Sequence, residues 1–326
     1  MPTEVYYSRN YSKILGATMT ETILITGGTG FIGSALVKKL VSQKLKIHLI
    51  IRPSSSIEKI KDCEKKCIFH SVDLIEKEKL SSIVKKINPD ITFHLAAAGV
   101  FYGLDSDQKI FDTNVWGAQS LMNSLEGTKC KKIINTGTCF EYDGKESSPY
   151  SEEVQQRPQN WYGISKMTAN RVIAMYADRM MINSITLRPF NIYGIGEDET
   201  RLISSIIHAC LTGKQLRLTS GDQVRDYLYL DDLIEAYELC IKYVPKKINS
   251  EFNIGSGNAI SLKKLGETIA LLCNADSSLL QFGALPYRKN EMMYLVSQPS
   301  RAKKELKWEV KNDLKTGIKK LIASLC

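Results

Sequence analysis

Apolar residues along the chain fall into short runs that alternate with amphipathic stretches of helical period. TILITGG (22–28) is a β-branched run ending in glycine, and FIGSALVKKLVSQ after it repeats apolar positions at helical spacing. That predicts strand, tight turn, helix. The alternation recurs as strand 47–51, a helix near 57–61, strand 67–72, helix 77–87, strand 91–98, a helix from about 112 to 125, strand 131–137, helix 161–180 and strand 184–189. The rhythm predicts a doubly wound parallel α/β sheet of the Rossmann kind. After Pro189 the regularity weakens, with turn-rich stretches at 194–197 and 219–223 and isolated helices at 204–211, 230–243 and 262–272. That part reads as a smaller mixed α/β C-terminal substrate lobe. The expected division is 20–189 with 224–257 returning to it, against 190–223 and 258–326, with residues 1–19 a leader or mobile tail of no assigned function. A ligand cleft belongs where the carboxyl ends of the strands meet the lobe.

Composition changes this picture little. Of the 326 residues 43% are hydrophobic and 24% charged, which excludes a disordered, collagenous or repeat-built chain. The net charge of +9 suits small anions, nucleic acid or an acidic membrane surface. The basic residues are scattered, however, as pairs such as Lys38-Lys39, Lys65-Lys66, Lys131-Lys132 and Lys246-Lys247, without a block or an Arg–aromatic stripe. They read as a solvated surface, with no nucleic-acid partner. The 8 Cys form no C-x-x-C and do not cluster with His, so they read as free thiols with no metal. No apolar run approaches the ~20 residues that span a bilayer, and the first residues lack an apolar signal core, which leads to the expectation of a cytoplasmic protein without membrane partners.

The loop after the first strand places Gly27, Gly30 and Gly33 three apart, between a strand and an amphipathic helix. Gly27 permits the tight turn, Gly30 lets backbone approach a pyrophosphate, and Gly33 lets the helix pack close to the strand. With both flanking elements in place, a dinucleotide site is expected. An NAD site carries Asp or Glu about 20 residues on, at the end of the second strand. This chain has Arg52 there, followed by Pro53, Ser54, Ser55 and Ser56, and Glu58 is the first acid. A cation among hydroxyls suits a 2′-phosphate, so NADP is expected over NAD. The competing reading of Arg52 is a surface charge. Asp73, ending the third strand, stands where it could meet an adenine amine or simply shape a turn.

Tyr162 and Lys166 lie four apart on one face of a helix. A neighbouring ammonium favours phenolate and would bring a poor acid–base group toward the working range. Thr138, ending the preceding strand, offers a hydroxyl to the substrate oxygen that Tyr162 protonates. Alone, Y-x-x-x-K is common and usually a plain helix face; after a glycine loop in the same sheet it reads as a reaction centre.

Together TGGTGFIG (26–33), HLAAA (94–98), Asn114 within NVWGA, Thr138 and the Tyr162–Lys166 pair resemble the extended short-chain dehydrogenase/reductase family, the NAD-dependent epimerases and dehydratases. The resemblance runs on through LRPFNIYG (187–194), GDQVRDYLYLDD (221–232) and FNIGSG (252–257), covering nearly everything after residue 20. It implies nucleotide-sugar substrates bound by the C-terminal lobe. By matching positions it also places Phe31, Ile32, Leu74, Leu95, Ala96, Ala97, Asn114 and Pro189 at the cofactor. It places Asn191, Arg225 and Arg288 at the diphosphate, where arginine forks suit phosphate; Phe140 is a substrate-lining candidate or equally core aromatic packing. For Arg225 the alternative is a local salt bridge with Asp226 or Asp231, and for Arg288 a solvated charge. Phe101, Tyr102 and Tyr193 are further lining candidates or core aromatics. The helices near 112–125 and 161–180 match those that pair in family homodimers.

Three chemistries share this scaffold. Dehydratases of the family carry Asp-Glu directly after the threonine; here those positions are Cys139 and Phe140, so dehydration would need Glu141 or another acid from a shifted position. Epimerases retain NAD, and Arg52 argues against that. The segment TGTCFEYDG, with QFGALPYRKNEMMYLV, is most similar to reductases of nucleotide-linked 4-keto-6-deoxyhexoses such as CDP-abequose synthase. The resemblance therefore implies an NADPH-dependent reduction of a CDP- or dTDP-linked sugar at C4, for lipopolysaccharide-type surface polymers. A 4-epimerase with retained NAD is the alternative enzyme, and a non-enzymatic dinucleotide-fold sensor the alternative of another class.

Overall fold

A computed structural model describes residues 21–101, 103–145 and 147–325. The leader expected over 1–19 and the candidate lining residue Tyr102 lie outside the described residues. The chain begins β1 (Thr22–Thr26), α1 (Phe31–Leu40), β2 (Lys46–Ile51), a 3-10 stretch over Glu58–Lys66, β3 (Cys67–Ser71), α2 (Lys77–Ile87) and β4 (Ile91–His94). It continues with α3 (Asp107–Phe111), a π-turn over Asp112–Trp116, α4 (Gly117–Leu125), β5 (Lys132–Thr136), α5 (Trp161–Met180) and β6 (Asn183–Pro189). Shorter elements follow: β7 (Ile192–Tyr193), α6 (Leu202–Thr212), β8 (Leu216–Arg217), β9 (Val224–Arg225), β10 (Leu228–Tyr229) and α7 (Leu230–Lys242). The last are β11 (Asn249–Ile254), β12 (Ile260–Ser261), α8 (Leu262–Leu272), β13 (Leu280–Gln281), β14 (Tyr294–Leu295) and α9 (Leu314–Leu325).

Seven strands form one sheet in the order β11-β6-β5-β4-β1-β2-β3, every neighbouring pair parallel. This is the doubly wound α/β fold the sequence predicts. Its strands read as continuous apolar runs because both faces are covered. Ile23, Ile25, Ile47 and Leu49 point into a core shared with α1 and α7, whereas Leu24, Ile50 and Ile133 point the other way onto α2, α4 and α5. Chain order reverses between β1 and β4, which puts the crevice at their carboxyl ends. A third core, built from α6, α8, α9 and the tyrosines 193, 227 and 229, lies among the short strands. Among the described residues no helix is long and apolar enough to cross a membrane.

Two departures from the sequence expectation have local causes. The strand expected over 91–98 stops at His94, because Leu95 N and Ala96 N turn to Thr26, on its carbonyl and hydroxyl respectively. The helix expected over 112–125 opens with a π-turn, drawn in by the buried Asn114. Such turns cluster at functional sites.

Candidate active site

The glycine loop is fixed by how closely the chain approaches itself. Gly27 has φ +74°, and a Cβ there would stand 2.4 Å from Ala96 N at the end of β4. A Cβ on Gly33 would stand 2.1 Å from the Gly27 carbonyl oxygen, so α1 must pass over the loop at a glycine. Gly30 differs: a Cβ would meet only the Gly27 oxygen, at 3.4 Å, and the residue is exposed. Nothing within the chain demands glycine at that position. Gly30 is also the N-cap of α1, with no side-chain cap and no acidic residue in the first turn, so the helix presents its positive end to the crevice. Phe31 and Ile32 are partly buried, packed on the core beneath.

On the next strands, Asn114 is 1% exposed and spends both amide N–H groups within the chain, on Ala98 O (3.0 Å) and Ser165 Oγ (2.8 Å), while its oxygen accepts from Ala98 N (2.8 Å). It ties the end of β4 to α5. Leu95, Ala96 and Ala97 are half-buried at that strand end. Leu74 is buried in the core; a Cβ on Gly117 of α4 would stand 3.1 Å from its Cβ. Asp73 shapes the turn after β3, its Oδ1 accepting from Ile75 N and its own N–H donating to Glu76. Arg52 is exposed at the carboxyl end of β2, and its charge reaches Asp105, a carboxylate the sequence reading did not single out, which caps Gly99 N at 2.8 Å and pairs with Lys109 at 2.5 Å. Pro189 ends β6 beside Ile254 of β11.

The expected reaction centre stands on the turn after β5. Thr138 is buried and its hydroxyl hydrogen-bonds Tyr162, the second residue of α5. Phe140 meets the Tyr162 ring edge-on at 6.3 Å. The helix approaches this turn so closely that a Cβ on Gly163 would be 2.1 Å from Phe140 O. Lys166, one turn along α5, is 1% exposed, and burial pushes its amine down to about 8 despite the nearby Glu141 carboxylate. Burial lifts the Tyr162 phenol above its ordinary value, with Cys139 adding to the rise; Arg201 and the Thr138 hydrogen bond pull the other way. The net lowering of the phenol expected from the Tyr–Lys spacing is therefore not what the structure gives, because desolvation outweighs the Arg201 charge and the Thr138 hydrogen bond.

Glu141 is the residue that holds this turn, and it is fully buried. Its Oε1 accepts from Thr138 N (3.0 Å) and Asn170 Nδ2 (2.7 Å), its Oε2 from Gln156 Nε2 (2.8 Å) and Arg188 Nε (2.7 Å). With four donors on two oxygens, the carboxylate is a scaffold for Thr138 rather than a reacting group.

On the opposite wall the expected phosphate contacts are less uniform. Asn191, at φ +20°, donates to Asp226 O at 3.0 Å. Arg225 is buried and pairs with Glu291 at 2.8 Å, not with Asp226 or Asp231. Asp226 is occupied elsewhere, by Ser256, Gly257 and Ser297. Arg288 is exposed in the turn that Glu291 N closes onto its carbonyl. Tyr193 is not a lining residue: it is 1% exposed, packs on Tyr229 at 5.6 Å and donates to Leu314 O. Phe101 sits at the mouth under the guanidinium of Arg201, another residue that spacing alone did not reveal.

Known proteins resemble this chain along nearly all its length. It is 28% identical to a CDP-abequose synthase from Salmonella typhimurium, over 94% of this chain and 99% of the relative. It is 27% identical to a dTDP-4-dehydro-6-deoxyglucose reductase from Escherichia coli (93% and 97%), and equally to a UDP-glucose 4-epimerase from Lactobacillus helveticus (89% and 92%). A UDP-glucose 4-epimerase from Thermotoga maritima, solved with UDP-glucose, superimposes with a TM-score of 0.86 at 25% identity, over 93% of this chain and 98% of that one. The family model of GDP-mannose 4,6 dehydratase spans residues 24–321, so the chain belongs to that family, a branch of the extended short-chain dehydrogenase/reductases.

Proposed function

We propose that the protein reduces the C4 ketone of a nucleotide-diphosphate-linked 4-keto-6-deoxyhexose, CDP- or dTDP-linked, with NADPH, and so makes a deoxysugar donor for surface polysaccharide. The observation that carries this reading is the engagement of Glu141. Dehydration needs an acid and a base beside the tyrosine. Cys139 and Phe140 supply neither, and both oxygens of Glu141 are committed to scaffold donors. Arg52, with Ser54, Ser55 and Ser56 behind it, favours a 2′-phosphate, and an exchanging NADP pair suits net reduction. The reductase names among the relatives point the same way.

The crevice fits a dinucleotide through the open side of Gly30, the uncapped end of α1 and Arg52. Bound there, the reduced nicotinamide would supply a hydride to the ketone carbon. Tyr162 gives its phenolic proton to the ketone oxygen, and Thr138 holds that oxygen. Lys166, held in its buried place on α5, steadies the cofactor ribose and favours the phenolate left behind. Residues 20–189 with 224–257 serve the cofactor, and 190–223 with 258–326 the nucleotide sugar. Exposed Trp116 and Met175, on the segments expected to pair, support a homodimer.

A 4-epimerase with retained NAD is the second reading, favoured by the equal identity to a UDP-glucose 4-epimerase. One assay separates the two: nicotinamide absorbance with CDP- and dTDP-linked 4-keto-6-deoxyhexoses, with NADH and UDP-glucose as controls. Stoichiometric NADPH consumption is expected. Interconversion of UDP-sugars by protein purified with NAD would establish the epimerase instead. Tyr162→Phe should cut turnover by ~10²–10⁴-fold while leaving NADPH affinity nearly intact.

A further inference from the structure

We propose that residues 196–201 form a strap that closes over the dinucleotide crevice and sets the rate at which cofactor enters and leaves; this rests on the dinucleotide-binding part of the reading above. The stretch lies between β7 and α6 and is tied at both ends to loops of the long sheet. At one end Lys59 Nζ, in the 3-10 stretch that follows β2, donates to Gly196 O at 2.6 Å. At the other, Arg201 Nη1 donates to Val100 O at 3.4 Å, and the guanidinium lies 5.3 Å over the Phe101 ring, both in the loop that follows β4. In the sheet β1 stands between β4 and β2, and its carboxyl end carries the glycine loop. The two ties therefore fall on either side of Gly27, Gly30 and Gly33.

Chain length permits the crossing with slack to spare. β4 and β2 are two strand spacings apart, about 10 Å, whereas the chain from Gly196 to Arg201 could extend to about 17 Å. Tight turns take up the slack, with Glu197 N donating to Gly194 O at 3.1 Å and Arg201 N to Asp198 O at 3.0 Å. The Val100 tie marks the reaction end, because the same loop lays Gly99 against the phenol, where a Cβ would be 3.4 Å from Tyr162 Cδ2. The Lys59 tie marks the other end, on the loop that Arg52 opens. A dinucleotide stretched over the glycine loop from one end to the other runs beneath the strap.

The strap can lift at small cost. Ile195, Gly196, Asp198, Glu199, Thr200 and Arg201 are all exposed, and each tie joins an exposed cation to a backbone carbonyl, a bond that water readily replaces. Gly196, at φ +86°, offers its carbonyl to Lys59 with open space where a Cβ would stand. Glu197 is the anchor: its side chain is 6% exposed and accepts from Ser204 Oγ of α6 at 3.0 Å. The ends can therefore part from the sheet loops while the middle stays on α6. An enzyme that exchanges its cofactor opens such a gate once in every turnover.

The test is stopped-flow binding of NADPH and of NADH to the full chain, followed by nicotinamide fluorescence, which needs no turnover. A gate slows passage in both directions. Lys59→Met and Arg201→Met should therefore each raise kon and koff together, by about two- to tenfold, the scale of one net hydrogen bond, and leave Kd within about twofold. The double variant should approach the product of the two effects. Lys59→Arg and Arg201→Lys keep a cationic donor and should stay near the wild-type rates. A rise in koff with kon unchanged overturns the strap, because the residue then holds the cofactor and gates nothing. Folded Met variants with unchanged rates overturn it too and leave the two bonds as ties between surfaces. A wild type that binds neither NADPH nor NADH overturns the dinucleotide reading itself, a result distinguishable before any variant is made.

Discussion

The turn that carries Thr138 and the loops that meet at Asp226 are each organised by a carboxylate with no solvent exposure, and they neutralise it in opposite ways. Glu141 sits among long strands and a long helix. It faces Arg188, itself 1% exposed and also paired with Glu251 at 2.7 Å. Asp226 sits among two-residue strands and accepts from neutral donors: Ser256 N at 2.7 Å, Ser256 Oγ at 2.6 Å, Gly257 N at 3.0 Å, Ser297 N at 3.1 Å and Ser297 Oγ. The sheet already supplies backbone partners to its strands, so a charge buried there is met by a counter-charge on the next strand. Where the chain has little ladder, the carboxylate gathers loose N–H groups and takes over what a strand would otherwise do.

The largest expected effect follows from the ion-pair side. Glu141→Gln leaves Arg188 with Glu251, the more exposed of its two carboxylate partners, and should cost about 3–5 kcal/mol in urea unfolding. It should also lower kcat by letting Thr138 drift, with nicotinamide-cofactor affinity kept. Adding Arg188→Met removes the half-compensated charge, so the double variant should recover much of the stability but not the rate. Asp226→Asn should cost somewhat less, about 2–4 kcal/mol, since an amide N–H₂ now faces N–H donors. No single second change should rescue it. If a lone partner variant did restore Asp226→Asn, the contrast between a paired and a shared charge would be wrong.

The same contrast decides what the sequence made legible. Strands with two buried faces and helices on a regular period announce themselves: α5 runs over 161–180, and Gly27 and Gly33 fall where close backbone approach requires them. Tyr162, Lys166 and Thr138 were legible because a helix and a strand end fix their relative places. The hubs were not. Glu141 finds Asn170 and Arg188 at separations of 29 and 47 residues, and Arg225 finds Glu291 at 66, far beyond any periodicity. Two-residue strands such as β9 and β14 are too short to alternate, so nothing local foretold which carboxylate Arg225 would choose. The amphipathic α9 went unanticipated as well, and Tyr193 looked like a lining aromatic because its burial depends on that helix.

A smaller effect tests the tie between the sheet and α7. Lys132, the first residue of β5, is buried and donates its Nζ to the carbonyls of Cys240, Ile241 and Tyr243, closing the carboxyl end of α7. Lys132→Met strands those acceptors and should cost about 1–3 kcal/mol, read as a lower urea midpoint with an unchanged slope.

The gentlest probe is pH, because the two regions respond with opposite sign. His48 and His70 stack on β2 and β3 with ring nitrogens 2.9 Å apart, and burial holds His48 down at about 4 and His70 below its ordinary value. A depressed imidazole means that the unfolded chain binds more protons between about 4 and 6.5. The stability from these neutral histidines is full above that window and is lost as pH falls through it, by up to ~1.4 kcal/mol per pH unit for each group. Glu197, beside α6, is pushed by burial up to about 7. There the folded chain binds more protons between about 4.5 and 7, so its contribution falls as pH rises. Replacing His48 and His70 together by Gln should therefore flatten the loss of stability between pH 6.5 and 5.5, and Glu197→Gln should steepen it. Equal slopes in all three proteins would mean that neither group titrates across folding, and that the sheet and the loop region do not differ in how they hold their buried acids and bases.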